Sequence, residues 1–271
     1  SDGAITGVPS GFPTLDKITG GFKPGHLIII AARAAGGKTA MALNLLHTAS
    51  VHHNKPVLFF SLEMTHTELF QRLISINGGM MMNRLAEGFL GRDQIRKAEA
   101  SEKILRNAPI TVIDNPWLTA TQIRSRARRW AAKNPGGIIA VDYIGIITPG
   151  RDSGRKQRYE VVGESSKTLK AIAKECKAHV LCLAPLNSSA ISVQDGFKLL
   201  SHLRESGSLE QDADLVLTLH KPEHSEEMLK RIDKNGGRLP ELPDVKLTLA
   251  KNRHGPLEEI DMAFQGCTQR F

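Results

Sequence analysis

The chain has 271 residues, enough for one large α/β domain or two small ones with a sizeable buried core. Lysine and arginine outnumber aspartate and glutamate by 36 to 28, and the resulting net charge of +8 points to a polyanionic partner. No apolar run reaches the ~18 residues of a membrane span. The N-terminus has no signal-peptide pattern, so the sequence predicts neither membrane insertion nor secretion.

Cysteine and aromatic residues narrow the class further. Cys176, Cys182 and Cys267 have no paired spacing, and the first two lie in or beside apolar runs, as buried thiols do. This usage fits a reducing compartment, so we expect a cytoplasmic protein. Aromatic residues make up only 5%, which argues against a base-stacking surface. If nucleic acid binds, we expect contacts to its backbone to dominate.

Residues 1–12 are polar and glycine-rich and are predicted to end an interdomain linker, with the folded domain over residues 13–271. Eight strands are predicted, at Leu27–Ala31, Val57–Ser61, Ile110–Ile113, Ile138–Asp142, Val180–Leu183, Asp214–Leu219, Val245–Ala250 and Ile260–Phe264. Helical patterns lie at Thr39–His52, Thr65–Asn77, Asp93–Arg106, Thr121–Lys133 and Val161–Glu175. Loops are predicted at Pro149–Tyr159, Ser188–Leu200 and Pro222–Pro243.

The alternation of strands and helices predicts an α/β fold. It indicates a mainly parallel, twisted sheet with helices on both faces. The last two strands are separated by a turn containing Gly255-Pro256, which predicts an antiparallel hairpin at the sheet edge. We find no internal repeat and no second hydrophobic core.

The stretch Ala31–Thr39, Ala-Ala-Arg-Ala-Ala-Gly-Gly-Lys-Thr, lies between an apolar run and a helical pattern, as a phosphate-binding loop does. Backbone N–H groups and the dipole at a helix start bind anions. Lys38 is therefore expected to contact the β- and γ-phosphates of ATP, and Thr39 to ligate Mg²⁺. The predicted nucleotide-binding residues are Arg33, Ala34, Ala35, Gly36, Gly37, Lys38, Thr39 and Ala40.

Two acidic residues follow or end predicted strands, where ligands of a parallel sheet bind. Glu63 lies just past Val57–Ser61, where a carboxylate can deprotonate the water that attacks the γ-phosphate. An acid that opens the next helix fits that position equally well. Asp142 ends an apolar strand, as a Mg²⁺-orienting aspartate does, although a plain strand-ending turn remains the alternative.

Blocks of residues along nearly the whole chain match those of a known family in order. They are Gly7–Phe12 with Leu15-Asp16, Ala31–Arg33 with Gly37–Thr39, Ser61–Met64, Val141–Tyr143, Leu203–Asp214, Ala250–Pro256, and Ala263–Gly266 with Arg270-Phe271. In these blocks the chain resembles the replicative hexameric DNA helicases of the bacterial DnaB type, with their RecA-like P-loop ATPase domain. Ala32, which stands where the general loop pattern has glycine, is normal in that family.

The resemblance implies a role for each matched residue. Glu63 is the implied catalytic base, and Asp142 supports the metal bound at Thr39. Lys251 and Arg253 are implied to reach the γ-phosphate in the neighbouring subunit's site. From the residues alone, that cluster also fits an ordinary solvated hairpin.

The resemblance also implies contact with single-stranded DNA through loops that face the centre of a ring. The implied DNA-binding residues are Arg155, Lys156, Arg158, Lys198, Arg204, Glu205 and Gly207. An ordinary charged surface loop is the alternative for the first loop, and a surface ion pair is the alternative for Arg204 and Glu205. Binding through the DNA backbone predicts strong salt dependence and little sequence preference.

The chain departs from the family where hydrolysis is linked to DNA. Pro185 and Ser188 stand where the family has glutamine and arginine, Gly145 replaces a common glutamine, and Gly196-Phe197 replaces a basic pair. Proline has neither an amide side chain nor an N–H, so it cannot sense a phosphate as glutamine does. These changes suggest a divergent member from a phage or prophage.

The leading hypothesis is an ATP-driven helicase motor that forms a homo-hexamer on single-stranded DNA, with a primase and a helicase loader as further candidate partners. One alternative is a recombinase-type ATPase on the same fold. Another is a ring subunit that binds ATP and DNA without coupled unwinding, which Pro185 motivates. A small-molecule P-loop kinase is the least supported, because nothing resembles its lid or acceptor site.

Overall fold

The computed structural model describes residues 5–88, 90–149, 157–187, 195–203, 207–222 and 244–271. The helices are α1 Pro13–Thr19, α2 Lys38–His47, α3 His66–Gly78, α4 Met82–Glu87, α5 Arg92–Asn107, α6 Ala120–Lys133, α7 Arg158–Cys176 and α8 Gly207–Asp212. The strands are β1 Leu27–Ala32, β2 Val57–Ser61, β3 Ile110–Ile113, β4 Ile138–Asp142, β5 His179–Pro185, β6 Leu215–His220, β7 Val245–Asn252 and β8 Glu259–Met262. A π-helical turn, Thr48–His52, extends α2, and short 3₁₀ helices span Ile144–Ile146 and Lys198–His202.

The strands form one sheet in the order β3-β2-β4-β5-β1-β6-β7-β8. All pairings from β3 to β6 are parallel, whereas β7 runs antiparallel to both β6 and β8. The predicted mainly parallel sheet and its antiparallel edge hairpin are confirmed. Because the strands from β3 to β6 point the same way, their carboxyl ends share one edge of the sheet, which we call the carboxyl edge, and their starts share the opposite, amino edge.

Two hydrophobic clusters hold the sheet between helices. Alternate residues of β1 point to opposite faces, so Ile28 and Ile30 pack in a cluster with α2 and α3, whereas Leu27, Ile29 and Ala31 pack in the other with α6, α7 and α8. A strand that is covered on both faces has no polar face, which is why β1 reads as a continuous apolar run. The prediction of helices on both faces is confirmed.

Two predicted loops are wrong at their ends. Arg158 and Tyr159 belong to the first turn of α7 rather than to a loop, because Gln157 caps this helix through Glu160. Lys198–Leu200 lies in a 3₁₀ helix that begins beside an Asp195 turn, in which the Asp195 carboxylate accepts the Phe197 N–H at 2.9 Å. Most of Pro149–Tyr159 and nearly all of Pro222–Pro243 lie outside the described residues.

The segment predicted as linker makes contacts with the domain. Thr6 and Gly7 donate backbone hydrogen bonds to Gly20, and the buried Val8 forms a bridge with Phe22. The boundary at residue 13 stays a prediction. Within the described part of the chain, no helix is both long and apolar enough to cross a membrane.

Candidate nucleotide site

The loop between β1 and α2 has the geometry of an anion-binding turn. Gly36 N–H donates to the Arg33 carbonyl at 2.9 Å, and a side chain at Gly36 would lie 2.9 Å from that same oxygen. Gly37, the residue before α2, has φ +85°, a left-handed conformation that favours glycine. The two glycines therefore let the backbone turn tightly and present the first N–H groups of α2 to a ligand.

Lys38, Thr39, Glu63 and Asp142 meet at the carboxyl edge. The Lys38 ammonium lies 3.3 Å from a Glu63 carboxylate oxygen and 3.5 Å from an Asp142 oxygen. The Thr39 hydroxyl donates to the other Asp142 oxygen at 2.8 Å. β2 and β4 are neighbours with Ser61 opposite Asp142, so the sheet register places the two acids side by side.

The two carboxylates sit in different environments. The Asp142 side chain is 1% exposed, and burial raises its pKa, a shift that the nearby Lys38 charge opposes. The Glu63 side chain is 50% exposed. α3 begins at His66 and is capped by Thr65 and Glu68, so Glu63 does not open the following helix. An exposed carboxylate beside a cation can exchange protons with solvent, whereas Asp142 is held in place.

An open pocket of ≈ 520 Å³ lies over the loop. Its lining residues are Ala35, Gly36, Gly37, Lys38, Thr39, Ala40, Glu63, Met64, Glu68, Arg72, Phe264 and Gln269. Six of the eight predicted nucleotide-binding residues are among them, and Arg33 and Ala34 precede the lining in the chain. The pocket is large enough for a nucleotide and carries both cationic and acidic groups.

The C-terminal segment contributes to this pocket, which the sequence reasoning missed. Phe264 and Phe271 stack with ring centroids 4.3 Å apart, and the Gln269 carbonyl accepts from Asn44 of α2 at 2.7 Å. Arg72 of α3 donates to the Gln269 side chain at 3.2 Å. The block Ala263–Gly266 with Arg270-Phe271 was the available signal, but a motif so far along the chain gave no reason to place it beside the loop.

The residues present fit ATP with Mg²⁺. A hydroxyl and a carboxylate are hard oxygen ligands of the kind Mg²⁺ prefers. Lys38 and the first N–H groups of α2 provide the positive charge that phosphates require. We therefore identify this pocket as the candidate nucleotide site.

Lys251 and Arg253 lie at the opposite, amino edge of the sheet. The Lys251 ammonium donates to the Glu210 carbonyl, and the Arg253 guanidinium donates to the Gln211 carbonyl and lies 3.5 Å from Asp214. Both cations thus sit on the C-terminal end of α8, where the helix dipole favours positive charge. β1 separates them from the loop by about 17 Å, at ~3.3 Å per residue, too far to reach their own chain's nucleotide.

The predicted DNA-binding residues are only partly described. Arg155, Lys156, Arg204 and Glu205 lie outside the described residues, as does the Arg158 side chain. Lys198 is 76% exposed, 3.7 Å from Asp195. Gly207 begins α8, which Ser166 of α7 holds by a 2.7 Å hydrogen bond to Asp212. The structure thus brings the starts of α7 and α8 to one corner of the carboxyl edge.

Comparison with known proteins agrees with this geometry. The chain matches the family model of the DnaB-like helicase C-terminal domain over residues 7–271. It is 36% identical over 270 residues to the replicative DNA helicase DnaB of Leifsonia xyli subsp. xyli, covering 100% of this chain and 56% of that protein. It is 35% identical over 263 residues to the DnaB of Geobacillus stearothermophilus, covering 97% of this chain and 56% of that protein. The chain thus spans about half the length of these relatives.

Solved structures give the same answer for the fold. A DnaB-like replicative helicase, studied with its interactions with primase, superposes with a TM-score of 0.85 at 31% identity, covering 100% of this chain and 62% of that one. An ATPase domain solved on its own superposes with the same TM-score at 32% identity, covering 99% of this chain and 92% of that one. A KaiC-like protein of Pyrococcus horikoshii, 17% identical with a TM-score of 0.59, shares the fold alone. The predicted RecA-like fold is confirmed, and the chain belongs to the DnaB-like helicase C-terminal domain family.

Proposed function

We propose that this domain hydrolyses ATP at the subunit interfaces of a homo-hexameric ring, translocates on single-stranded DNA and unwinds duplex DNA. The meeting of Lys38 with Glu63 and Asp142, at 3.3 and 3.5 Å, carries this proposal. A cation held between two carboxylates beside a glycine-rich turn is placed to move onto phosphate oxygens when a nucleotide enters.

Each residue then has a chemical task. Lys38 binds the β- and γ-phosphates, and Glu63, released from Lys38, orients and deprotonates the attacking water. Mg²⁺ would be held by the Thr39 hydroxyl with Asp142 behind it, and would neutralise charge on the phosphate oxygens. The hydrogen bond between Thr39 and Asp142 orients the hydroxyl before any ligand arrives.

Hydrolysis in this scheme depends on assembly. Lys251 and Arg253 are too far from their own loop, so the γ-phosphate they would stabilise belongs to a neighbouring copy. The Arg253 side chain is 42% exposed, which leaves it accessible to such a neighbour. Its contacts with Asp214 and Gln211 would be exchanged for contacts across the interface.

DNA would bind at the carboxyl edge, through the predicted basic residues around the starts of α7 and α8. Primase is a supported partner because the superposing helicase was studied with one, and a loader is the remaining candidate. Action on chromosomal DNA would place the protein in the cytoplasm. We propose residues 1–12 as linker and 13–271 as the ATPase domain.

A second candidate is a ring subunit that binds ATP and DNA without coupled unwinding. Pro185 favours it: this residue ends β5 directly opposite Ala32 of β1, next to the phosphate loop. A proline there cannot pass a change at the γ-phosphate to the segment that follows β5 through an amide side chain.

Steady-state ATPase assays with and without single-stranded DNA test the proposal. We expect DNA to stimulate turnover, and Lys38→Ala to lower turnover by at least about 100-fold, because transition-state charge loses its main cation. Lys97→Ala, an exposed lysine on α5, is the matched control and should retain activity. Turnover that ignores DNA would favour the second candidate. Full activity of Lys38→Ala would refute the nucleotide site itself.

A further inference from the structure

Three aromatic side chains are exposed at the carboxyl edge. Among the described residues, the exposed large hydrophobic side chains include Trp117 at 77%, Tyr159 at 53% and Phe197 at 39%. Trp117 follows β3, Tyr159 lies in the first turn of α7 after β4, and Phe197 follows β5. All three therefore lie where parallel strands end, which is the edge that carries the nucleotide loop.

The backbone at two of the rings is fixed although the rings face solvent. Trp117 N–H donates to the Asn115 side chain at 2.9 Å, and the adjacent Leu118 is buried and accepts from Thr148 N–H at 3.0 Å. The loop before Phe197 is held by Thr218, whose hydroxyl donates to the Gly196 carbonyl at 2.9 Å. Rings on a preordered backbone lose little conformational entropy when a partner covers them.

The surroundings are basic but contain acids. α6, which follows Trp117, carries Arg124, Arg126, Arg128, Arg129 and Lys133 and no acidic residue. Near the other two rings, Lys198 is paired with Asp195, and Glu160 caps α7. Charge alone would make this edge only moderately attractive to phosphates. Exposed rings beside basic side chains are what a single-strand binding surface combines.

We propose that Trp117, Tyr159 and Phe197 stack on unpaired bases of single-stranded DNA. β3 and β5 are three strands apart, so the rings span about 14 Å of sheet edge at ~4.8 Å per strand, a length that a few successive nucleotides cover. The inference rests on the proposed function, which supplies the DNA. The low aromatic content does not oppose it, because placement matters more than number.

Fluorescence separates base stacking from phosphate binding. The chain has two tryptophans, so Trp130→Phe leaves Trp117 as the sole indole. We expect oligothymidylate to quench this indole, and an oligomer of abasic deoxyribose phosphate of equal length to bind more weakly without quenching. Equal binding of the two oligomers without quenching would overturn the inference.

Substitutions provide a second readout. Trp117→Leu should weaken oligothymidylate binding by about 5- to 150-fold, the effect of one stacked base. It should leave the salt dependence unchanged, because the phosphate contacts stay. Trp117→Phe should retain most of the affinity, and Leu257→Ala, an exposed apolar control on the β7–β8 hairpin, should retain all of it.

Two other outcomes refute the inference in distinguishable ways. Quenching by ATP alone, together with an increase in mass and no further change on adding DNA, would assign the rings to a subunit interface. If the unsubstituted protein bound neither oligomer, the proposed function would fall together with the inference.

Discussion

At the scale of single residues, the nucleotide site places a carboxylate where burial opposes its charge. Asp142 is fully buried with a raised pKa, and only Lys38 and Thr39 compensate it. A group that makes folding harder and still occupies the centre of a pocket is typical of a functional site rather than of a packing solution. The pair Lys38–Asp142 is therefore better explained by ligand binding than by stability.

A buried histidine makes stability depend on pH. Burial lowers the pKa of His179 to about 4, and its Nδ1 has no partner among the described residues. As pH falls below ~6.5 the unfolded chain takes up a proton that the folded chain cannot hold until pH ~4, so the free energy of unfolding should drop by about 3 kcal/mol across that interval.

Chemical denaturation at several pH values between 7 and about 4 measures this effect. His179→Gln should show a shallower loss of stability than the unsubstituted chain, although not a flat one, because burial also lowers the pKa of His26, His47 and His220. The exposed His53→Gln is the control. Identical pH slopes for His179→Gln and the unsubstituted chain would show that His179 is not the cause.

At the scale of elements, Asn44 joins α2 to the C-terminal segment. Its amide donates to the Gln269 carbonyl at 2.7 Å and accepts from Phe271 N–H at 3.4 Å. Asn44→Ala leaves these partly buried groups unpaired, so the free energy of unfolding should fall by about 1–3 kcal/mol. Nucleotide affinity should fall too, because Phe264 and Gln269 line the pocket.

Thermal unfolding and a nucleotide titration test this link between α2 and the C-terminal segment. Asn107→Ala, at the exposed end of α5, is the control and should change neither quantity. Loss of stability with unchanged nucleotide affinity would mean that the C-terminal segment packs on α2 without shaping the pocket.

At the scale of the whole molecule, the position of Arg253 makes complementation between chains testable. Arg253→Ala should lower turnover by about 100-fold or more, as an arginine finger does, with nucleotide binding nearly intact. Mixed one to one with Lys38→Ala chains, it should recover about a quarter of the per-site activity, since about a quarter of random interfaces pair an intact loop with an intact arginine.

ATPase activity of the mixture, followed together with its mass in solution, measures this recovery. Each variant alone should be nearly inactive at every protein concentration. A mixture that forms mixed assemblies but stays inactive would show that Arg253 does not act on a neighbouring site.

The sequence determined what depends on neighbouring residues. Apolar runs located all eight strands, and the glycines before Lys38 located the phosphate loop, because strand burial and backbone turns follow from local composition. Short helices were missed, since α4 and α8 have too few turns to show a period. α1 has Pro13 at its start and Gly20 after its end, signals that were available and went unused.

Only the tertiary structure decided which distant residues meet. β1 and β2 are consecutive in the chain but lie three strands apart, with β4 and β5 between them, so no local pattern gives the 3.3 Å contact of Lys38 with Glu63. The same holds for Gln269 at the pocket and for Arg253 at the opposite edge. Strand order and register are set by packing both sheet faces at once, and that packing is a property of the whole chain.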